Sequence, residues 1–268
     1  MSIRFESVTK SFGPKTILRD VSFEVKKGEI VFILGKSGMG KSVTLKHIVG
    51  VLKPDSGRVL VDEKDVARLS PVELSDVRRQ CGMVFQHPAL LDSLSIYENV
   101  SFGLRTPQYT RTLPRPLSED EIRARVIEKL QLVNLNPDIL DRRPPEISYG
   151  MQKRVSLART IAPGPAYLLF DEPTTGLDPI TTTAVNDLIF ELSRKLKVTS
   201  VVVSHDMQCA LKIADRILVL DQAGILAYDT VANIKRSKET LIREFLEETL
   251  ALLPPEERGD AAPMGVSS

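Results

Sequence analysis

The chemistry of this sequence is concentrated at residues 35–42, where Gly-Lys-Ser-Gly-Met-Gly-Lys-Ser completes the phosphate-binding pattern G-x-x-x-x-G-K-S/T. Glycines let the backbone curl until its N–H groups point at phosphate oxygens, and the helix that follows adds the positive end of its dipole. In this pattern Lys41 reaches the β- and γ-phosphates, and the Ser42 hydroxyl is a ligand for Mg²⁺. An apolar run precedes the loop and a helical pattern follows it, so we predict a nucleoside triphosphate site rather than an ordinary glycine turn. The nucleotide contacts are assigned to Gly35, Lys36, Ser37, Gly38, Met39, Gly40, Lys41, Ser42 and Val43.

Two acids and a histidine follow apolar runs further along the chain. Asp171 and Glu172 come directly after the run at 167–170, and His205 comes after the run at 200–204. A carboxylate at the end of a strand that faces a phosphate loop can hold Mg²⁺, which is the role we assign to Asp171. Glu172 is placed to orient a water for attack on the γ-phosphate. We expect His205 to contact the γ-phosphate, against the alternative of a histidine with only a structural role.

Composition narrows the class of protein. The chain has 36 basic and 35 acidic residues, so it lacks the basic surplus that is typical of nucleic-acid binding proteins. Cys81 and Cys209 lie far apart without metal-site spacing and are typical of reduced thiols in a cytosolic protein. The first residues have no apolar signal-peptide core, and no apolar run approaches the ~18–20 residues that span a bilayer. We therefore expect any membrane role to come through another chain.

The elements that position these residues predict an α/β fold. Alternating apolar residues at 3–8 and 21–25 predict two antiparallel strands ahead of the loop strand. Apolar runs at 167–170 and 201–203 predict buried parallel strands at 167–171 and 200–204. Further short strands are predicted at 57–61 and 82–85, and a closing hairpin at 216–221 and 224–228.

A helical insert is predicted within this α/β core. Residues 87–147 combine helical patterns with a proline-rich loop at 106–116, and Ser118 opens a helix with a capping box. The core then consists of residues 1–86 and 148–236, and together with the insert it forms one domain, residues 1–236. Residues 237–268 are a C-terminal extension, which begins with an amphipathic helix at about 237–253. The end of the extension has a small, polar composition that is typical of disorder.

Further segments, in their order along the chain, resemble the ATP-binding cassette (ABC) ATPases. Phe12 stands at the position of the aromatic residue that stacks on adenine, and Gln86 at that of the Q-loop glutamine. Residues 147–154 are similar to the ABC signature, 175–178 to the D-loop, and His205 to the switch histidine. The resemblance covers residues 2–230. It implies a RecA-like P-loop NTPase fold, with an N-terminal antiparallel β-subdomain and a helical subdomain, that hydrolyses ATP with Mg²⁺.

The resemblance also implies roles for individual residues. In this family two subunits enclose two ATP molecules head to tail, so Ser148, Gly150 and Asp178 would act in trans on the nucleotide bound by the partner. Gln86 would sense Mg²⁺ and the attacking water, and would link them to the helical insert that receives a permease helix. The implied catalytic residues are Glu172, His205 and Gln86. The implied metal ligands are Ser42, Gln86 and Asp171.

Two positions depart from the usual family pattern. Tyr149 replaces the first of two signature glycines, and Val43 replaces a hydroxyl residue after the phosphate loop. Val43, together with Met151 in the signature, resembles the ATPases of MCE-type lipid transporters, such as the Mla phospholipid system. The loss of the first signature glycine leaves open a regulatory cassette without catalysis, although Lys41 and the acidic residues argue against it.

The resemblance implies an ATPase subunit that powers phospholipid transport between bacterial membranes. We expect a homodimer bound peripherally at the cytoplasmic face of the inner membrane to integral membrane permease subunits, with no nucleic-acid partner. An MCE-domain protein and a small accessory subunit would be reached through the permease complex. One alternative is the ATPase of another importer, for example of amino acids. A second is a soluble ABC ATPase that acts on nucleic acid or ribosomes.

Overall fold

Two sheets of different character organise the chain, whose computed structural model describes residues 2–251. The strands are β1 (Ser2–Phe12), β2 (Lys15–Lys26), β3 (Ile30–Leu34), β4 (Ser56–Val61), β5 (Lys64–Asp65), β6 (Cys81–Val84), β7 (Tyr167–Asp171), β8 (Thr199–Val203), β9 (Arg216–Asp221) and β10 (Gly224–Thr230). The α-helices are α1 (Lys41–Ile48), α2 (Pro71–Gln80), α3 (Ile96–Ser101), α4 (Pro107–Thr110), α5 (Glu119–Leu132), α6 (Tyr149–Ile161), α7 (Pro179–Leu196), α8 (Met207–Ile213), α9 (Val231–Lys235) and α10 (Thr240–Ala251). Short 3₁₀ turns occupy Val66–Arg68, Phe102–Arg105, Pro137–Ile139 and Pro144–Glu146.

The larger sheet is mainly parallel, with strand order β10-β9-β3-β8-β7-β6. All five residues of β3 are buried, as are those of β8. Along β3, Phe32 faces one hydrophobic core while Val31 and Ile33 face the other, which is the period of two that a strand imposes. Both faces of the sheet are therefore covered, and this explains the uninterrupted apolar runs in the sequence.

The parallel arrangement explains how residues far apart in sequence come together. Strands β6, β7, β8 and β3 pair in parallel with their neighbours, so their carboxyl ends lie at one edge of the sheet. The phosphate loop follows β3, Asp171 ends β7, and His205 follows β8. Ligands of open α/β sheets bind at this edge.

A smaller antiparallel sheet, in the order β2-β1-β4-β5, covers the second core. Residues of β1, β2 and β4 share that core with α1 and with one face of the parallel sheet. The predicted α/β fold with an N-terminal antiparallel subdomain is confirmed. The predicted limits of most strands differ from those observed by one or two residues. Strands β1 and β2 are longer than predicted, because β1 continues to Phe12 and β2 already begins at Lys15.

The region predicted as a helical insert contains α3, α4 and α5. The capping box at Ser118 is present, since its hydroxyl accepts a hydrogen bond from the Glu121 amide at 3.2 Å. The proline-rich segment 106–116 is not entirely a loop, because α4 forms within it, with Pro107 in its first turn. The insert belongs to the same hydrophobic core as the parallel sheet, and its boundaries at 87 and 147 stay a prediction.

The last described helix, α10, packs on its own domain. Ile242 and Leu246 are buried in the core that α8 also lines. The predicted disorder concerns residues beyond 251 and lies outside the described part of the chain, and the boundary at 237 stays a prediction. No helix between residues 2 and 251 is long and apolar enough to cross a membrane.

Candidate nucleotide-binding site

The phosphate loop needs glycine at two positions for different reasons. Gly35 has φ +151°, and a Cβ there would lie 2.5 Å from the Leu220 carbonyl oxygen. Gly40 has φ +92°, and a Cβ there would lie 2.8 Å from Leu18 Cδ2. A side chain at either position would collide with neighbouring strands, so the loop could not turn back towards α1.

Lys41, the first residue of α1, directs its ammonium group back across the loop. Its Nζ donates hydrogen bonds to the carbonyl oxygens of Gly35, at 2.8 Å, and Lys36, at 3.3 Å. It also lies 3.5 Å from a carboxylate oxygen of Glu172. The cation is thus held at the N-terminus of a helix, where an anionic phosphate is favoured by both charge and dipole.

Ser42 and Asp171 meet directly. The Ser42 hydroxyl donates a hydrogen bond to Asp171 Oδ1 at 2.6 Å. A hydroxyl and a carboxylate side by side are hard oxygen donors that suit Mg²⁺, which keeps most of its other ligands as water and phosphate. Across residues 2–251 there is no group of three or more His, Cys, Asp or Glu side chains that could hold a metal. The donor pair therefore fits an ion that binds together with a nucleotide rather than in a protein cage.

Glu172 is the centre of a small polar cluster. Its Oε2 lies 2.8 Å from His205 Nδ1, and the Thr175 hydroxyl is 3.4 Å from the same oxygen. The backbone of Glu172 has φ +49°, an uncommon conformation for a residue with a side chain. Such conformations cost about 1–3 kcal/mol and concentrate at functional sites. The carboxylate is mostly buried, whereas His205 is mostly exposed.

These side chains line one open cleft of about 580 Å³. Phe12 stands at its rim with 47% of its surface exposed, which leaves its ring available for stacking. The lining residues are Phe12, Lys15, Ile17, Ser37, Gly38, Gly40, Lys41, Ser42, Val43, Gln86, Glu172, Thr175 and His205. Most of the residues predicted to contact ATP therefore lie together in this cleft. Asp171 does not line the cleft itself but is joined to it by its hydrogen bond with Ser42. No role was predicted for Lys15, Ile17 or Thr175, although Thr175 lies in the D-loop motif.

Ser148, Gly150 and Asp178 lie outside this cleft. Ser148 caps α6 and is exposed, and Asp178 caps α7 and is exposed too. The two helix starts are close, because a Cβ on Gly150 would lie 3.3 Å from Thr181 Cγ2. Hydrogen bonds from the Thr181 hydroxyl and amide lower the pKa of Asp178, so it is an anion at neutral pH. A second, separate polar surface therefore exists.

Tyr149, the departure in the signature, connects α6 to the segment after β6. Its hydroxyl is 3.4 Å from His87 Nδ1, and its ring lies 5.6 Å from the Lys153 ammonium. Lys153 is buried and donates hydrogen bonds to the carbonyl oxygens of Gln86 and Pro173. Burial of Lys153 was not predicted from the sequence. The signal was its position four residues before Leu157, on the apolar face of α6.

The family to which known proteins assign this chain agrees with the geometry of the site. The family model described as "ABC transporter" matches residues 18–175, more than half of the chain. The chain belongs to the ABC transporter family. It is therefore an ATPase that binds ATP and Mg²⁺, as the sequence predicted. It is the ATP-binding subunit of a transporter.

The individual relatives differ in what they are named for. The chain is 38% identical to the intermembrane phospholipid transport system ATP-binding protein MlaF of Haemophilus influenzae, over 91% of this chain and 90% of that protein. It is 40% identical to the methionine import ATP-binding protein MetN of Carboxydothermus hydrogenoformans, over 89% of this chain and 68% of that protein. It is 37% identical to the probable ribonucleotide transport ATP-binding protein mkl of Mycobacterium leprae, over 92% of this chain and 69% of that protein.

Solved structures agree on the cassette. One is a dimeric ATP-binding cassette in a post-hydrolysis state, bound to ADP and Pi, with 32% identity and a TM-score of 0.75 over 85% of this chain and 98% of that one. Another is cbiO1 of Clostridium perfringens, part of the cbiONQ ABC transporter complex, with 30% identity and a TM-score of 0.77 over 91% of this chain and 94% of that one. The predicted P-loop NTPase fold of an ABC nucleotide-binding domain is thereby confirmed.

Proposed function

We propose that the cleft hydrolyses the β,γ bond of ATP with the residues that meet in it. Lys41 binds the β- and γ-phosphates, Phe12 stacks on adenine, and Ser42 and Asp171, with Gln86, would hold Mg²⁺. Mg²⁺ bound there would neutralise charge that develops on the phosphate oxygens. Glu172 orients the attacking water, and His205 contacts the γ-phosphate while it fixes the Glu172 carboxylate.

One observation carries this assignment. The Glu172 carboxylate lies between the Lys41 ammonium, at 3.5 Å, and the His205 imidazole, at 2.8 Å. The same acid therefore faces the cation for the terminal phosphates and is held in orientation from its other side. A base at that point is within reach of a water next to a phosphate bound by Lys41.

The second polar surface is proposed to complete the site of another copy. Ser148 and Gly150 at the start of α6, and Asp178 at the start of α7, are on the outside of the domain rather than in the cleft. Two helix N-termini offer backbone N–H groups and dipoles to an anion. A two-fold dimer, in which each cleft faces the partner's α6, uses both surfaces. The solved post-hydrolysis cassette is dimeric.

A groove on the helical side is proposed to receive the permease. Met83 of β6 and Arg159 of α6 line it, together with Phe102, which is 53% exposed. A second groove beside it shares Phe102 and Thr106. The groove is connected to the nucleotide cleft along the chain. Met83 of β6 lines the groove, and Gln86, three residues later, lines the cleft. A permease helix in the groove would therefore be coupled to the ATP site through this short segment.

The charge of the groove indicates the chemistry of the docking helix. Arg78, Arg79 and Arg159 line it, so the groove carries positive charge. We expect the docking helix to present apolar side chains to Phe102 and an acidic side chain to these arginines.

For the cargo, our proposal is phospholipid movement between bacterial membranes through an MCE-type permease complex. The support is the similarity to MlaF together with Val43 and Met151, which resemble the MCE-type ATPases. In this arrangement a homodimer is bound peripherally at the cytoplasmic face of the inner membrane. An MCE-domain protein and a small accessory subunit are reached through the permease.

A second candidate is the ATPase of an importer for methionine or another amino acid. The observation that favours it is the 40% identity to MetN, slightly above the identity to MlaF. The catalytic cassette is the same in both cases, because the cargo is recognised by other chains of the transporter.

The cargo is tested by affinity purification of the chain from detergent-solubilised membranes of its own source, followed by mass spectrometry. We expect an MCE-domain protein together with its permease. An amino-acid permease in their place would replace the lipid proposal with the second candidate. Recovery of ribosomal or nucleic-acid proteins without any permease would contradict both candidates. A Phe102→Asp bait is the control, since contacts that persist with it do not pass through the groove.

A further inference from the structure

A single buried lysine joins three parts of the molecule. Lys153 lies in α6, where 4% of its surface is exposed. Its Nζ donates hydrogen bonds to the carbonyl oxygens of Gln86 and of Pro173, the latter at 3.0 Å. Gln86 follows β6, and Pro173 follows Glu172 after β7. The ammonium group thus holds two loops, each of which supplies a side chain to the nucleotide cleft, against one helix.

We propose that Lys153 is a positioning residue for ATP hydrolysis, which fixes the loops of Gln86 and Glu172 relative to each other and to the signature helix. It does not line the cleft, so it acts through these loops rather than on the nucleotide. This inference rests on the proposed roles of Gln86 and Glu172. It adds that the distance between these two side chains depends on one residue of α6.

The environment of Lys153 favours this role over simple packing. Burial of the Lys153 ammonium group carries a desolvation penalty, because a charged group loses its hydration there. Only carbonyl oxygens and the Tyr149 ring, 5.6 Å away, offset that penalty in the part of the chain that the structure describes. An apolar side chain would avoid the penalty at this position of the helix. The ammonium group supplies what an apolar side chain cannot, which is a bond to each loop.

The position on α6 gives the contact a further consequence. Ser148 and Gly150 lie in the first turn of the same helix and are proposed to meet the partner's ATP. A movement of α6 that brings them to that ATP would also move the two loops held by Lys153. Lys153 would therefore link the proposed contact with the partner's nucleotide to the catalytic loops of this subunit.

The test compares neutral and cationic variants of the purified full-length chain in steady-state ATP hydrolysis. Lys153→Met and Lys153→Gln remove the charge, and Lys153→Arg keeps a cation that can donate to both carbonyl oxygens. Lys195→Met is the matched control, because Lys195 is exposed near the end of α7. We expect the neutral variants to lower kcat by about 10- to 100-fold, since small misplacements of catalytic groups have effects of this size. The KM for ATP should change by less than about twofold, and Lys153→Arg should recover most of the kcat.

Each outcome decides the inference. Wild-type kcat in a folded neutral variant overturns it, as does a rise in KM with unchanged kcat. Loss of the fold in both neutral variants, seen as a collapsed melting transition, assigns Lys153 a structural role only and also overturns it. Glu172→Gln is measured in parallel. Undiminished turnover by Glu172→Gln would reject the proposed catalytic role of Glu172, on which the inference rests. Loss of turnover in Glu172→Gln together with wild-type turnover in the Lys153 variants would reject only the positioning role of Lys153.

Discussion

The Ser42 hydroxyl donates a 2.6 Å hydrogen bond to Asp171 Oδ1 and so joins two residues that are 129 positions apart. The bond connects the first turn of α1 to the carboxyl end of β7. It holds beside the phosphate loop the two oxygen donors that are proposed as Mg²⁺ ligands. Preorganisation of this kind lowers the entropy that must be lost when ATP and the ion bind.

Lys41→Ala should weaken ATP binding itself. The substitution removes a charge-assisted contact worth about 1.5–3 kcal/mol, which corresponds to a Kd for ATP raised by about 10- to 100-fold. Fluorescence titration with a labelled ATP analogue measures the affinity. Lys195→Ala is the control for loss of a lysine at an exposed position. Unchanged affinity in Lys41→Ala would contradict the placement of this ammonium on the phosphates.

Phe102→Asp should separate the subunit from its permease and leave nucleotide binding intact. An acid at this position places a charge where we expect an apolar helix to dock. Val51→Asp is the matched control, because Val51 is 61% exposed and does not line the groove. Co-purification from membranes and ATP titration are the two measurements. If the permease is retained equally by both variants, docking occurs at another surface.

Ile242→Ala should destabilise the domain. Ile242 of α10 is fully buried in the core that α8 lines, so its truncation leaves a cavity and costs about 2–5 kcal/mol. Ile180→Ala is the control, since Ile180 is 84% exposed and should change stability by less than about 0.5 kcal/mol. Chemical denaturation monitored by circular dichroism gives both values. Equal stability of the two variants would mean that α10 does not pack on the domain in solution.

Both cysteines should resist a thiol reagent in the folded protein. Burial raises the pKa of Cys81 to about 12, and it also raises the pKa of Cys209. Native protein at pH 8 should therefore react slowly, while protein in denaturant should react quickly at two thiols. The folded pKa values lie above those of the unfolded chain, so the thiols also affect stability at high pH. They do not lower the free energy of unfolding below the unfolded thiol pKa of about 8.5, but they lower it as the pH rises from there towards the folded values. Rapid labelling of the native protein would contradict the burial.

The sequence predicts the central strands well, because burial on both faces of the sheet leaves an unmistakable apolar run. Strand β3 is an example, since all its residues are apolar and buried. The phosphate loop was predictable for another reason. Gly35 and Gly40 have backbone conformations that only glycine adopts readily, so the loop needs glycine at these positions. Both features are local, and local patterns are what a sequence displays directly.

Other features depend on contacts that a sequence does not display. Lys153 has the residue type of a solvated surface, and only the meeting of α6 with two loops makes it buried. The left-handed backbone of Glu172 likewise follows from its place between β7 and the cleft rather than from its residue type. The contact of Tyr149 with His87 pairs two motifs that are 62 residues apart. The sequence identified the motifs but not this link.

The central claim is that Glu172 orients the water that attacks ATP, and the most direct measurement is ATP hydrolysis and ATP binding by Glu172→Gln in the same preparation. The account predicts that kcat falls by at least about 10²-fold, because a general base is lost, while ATP still binds and holds a dimer. Glu191→Gln, on the exposed side of α7, is the matched control and should hydrolyse ATP as the wild type does. Turnover by Glu172→Gln near the wild-type rate would contradict the account.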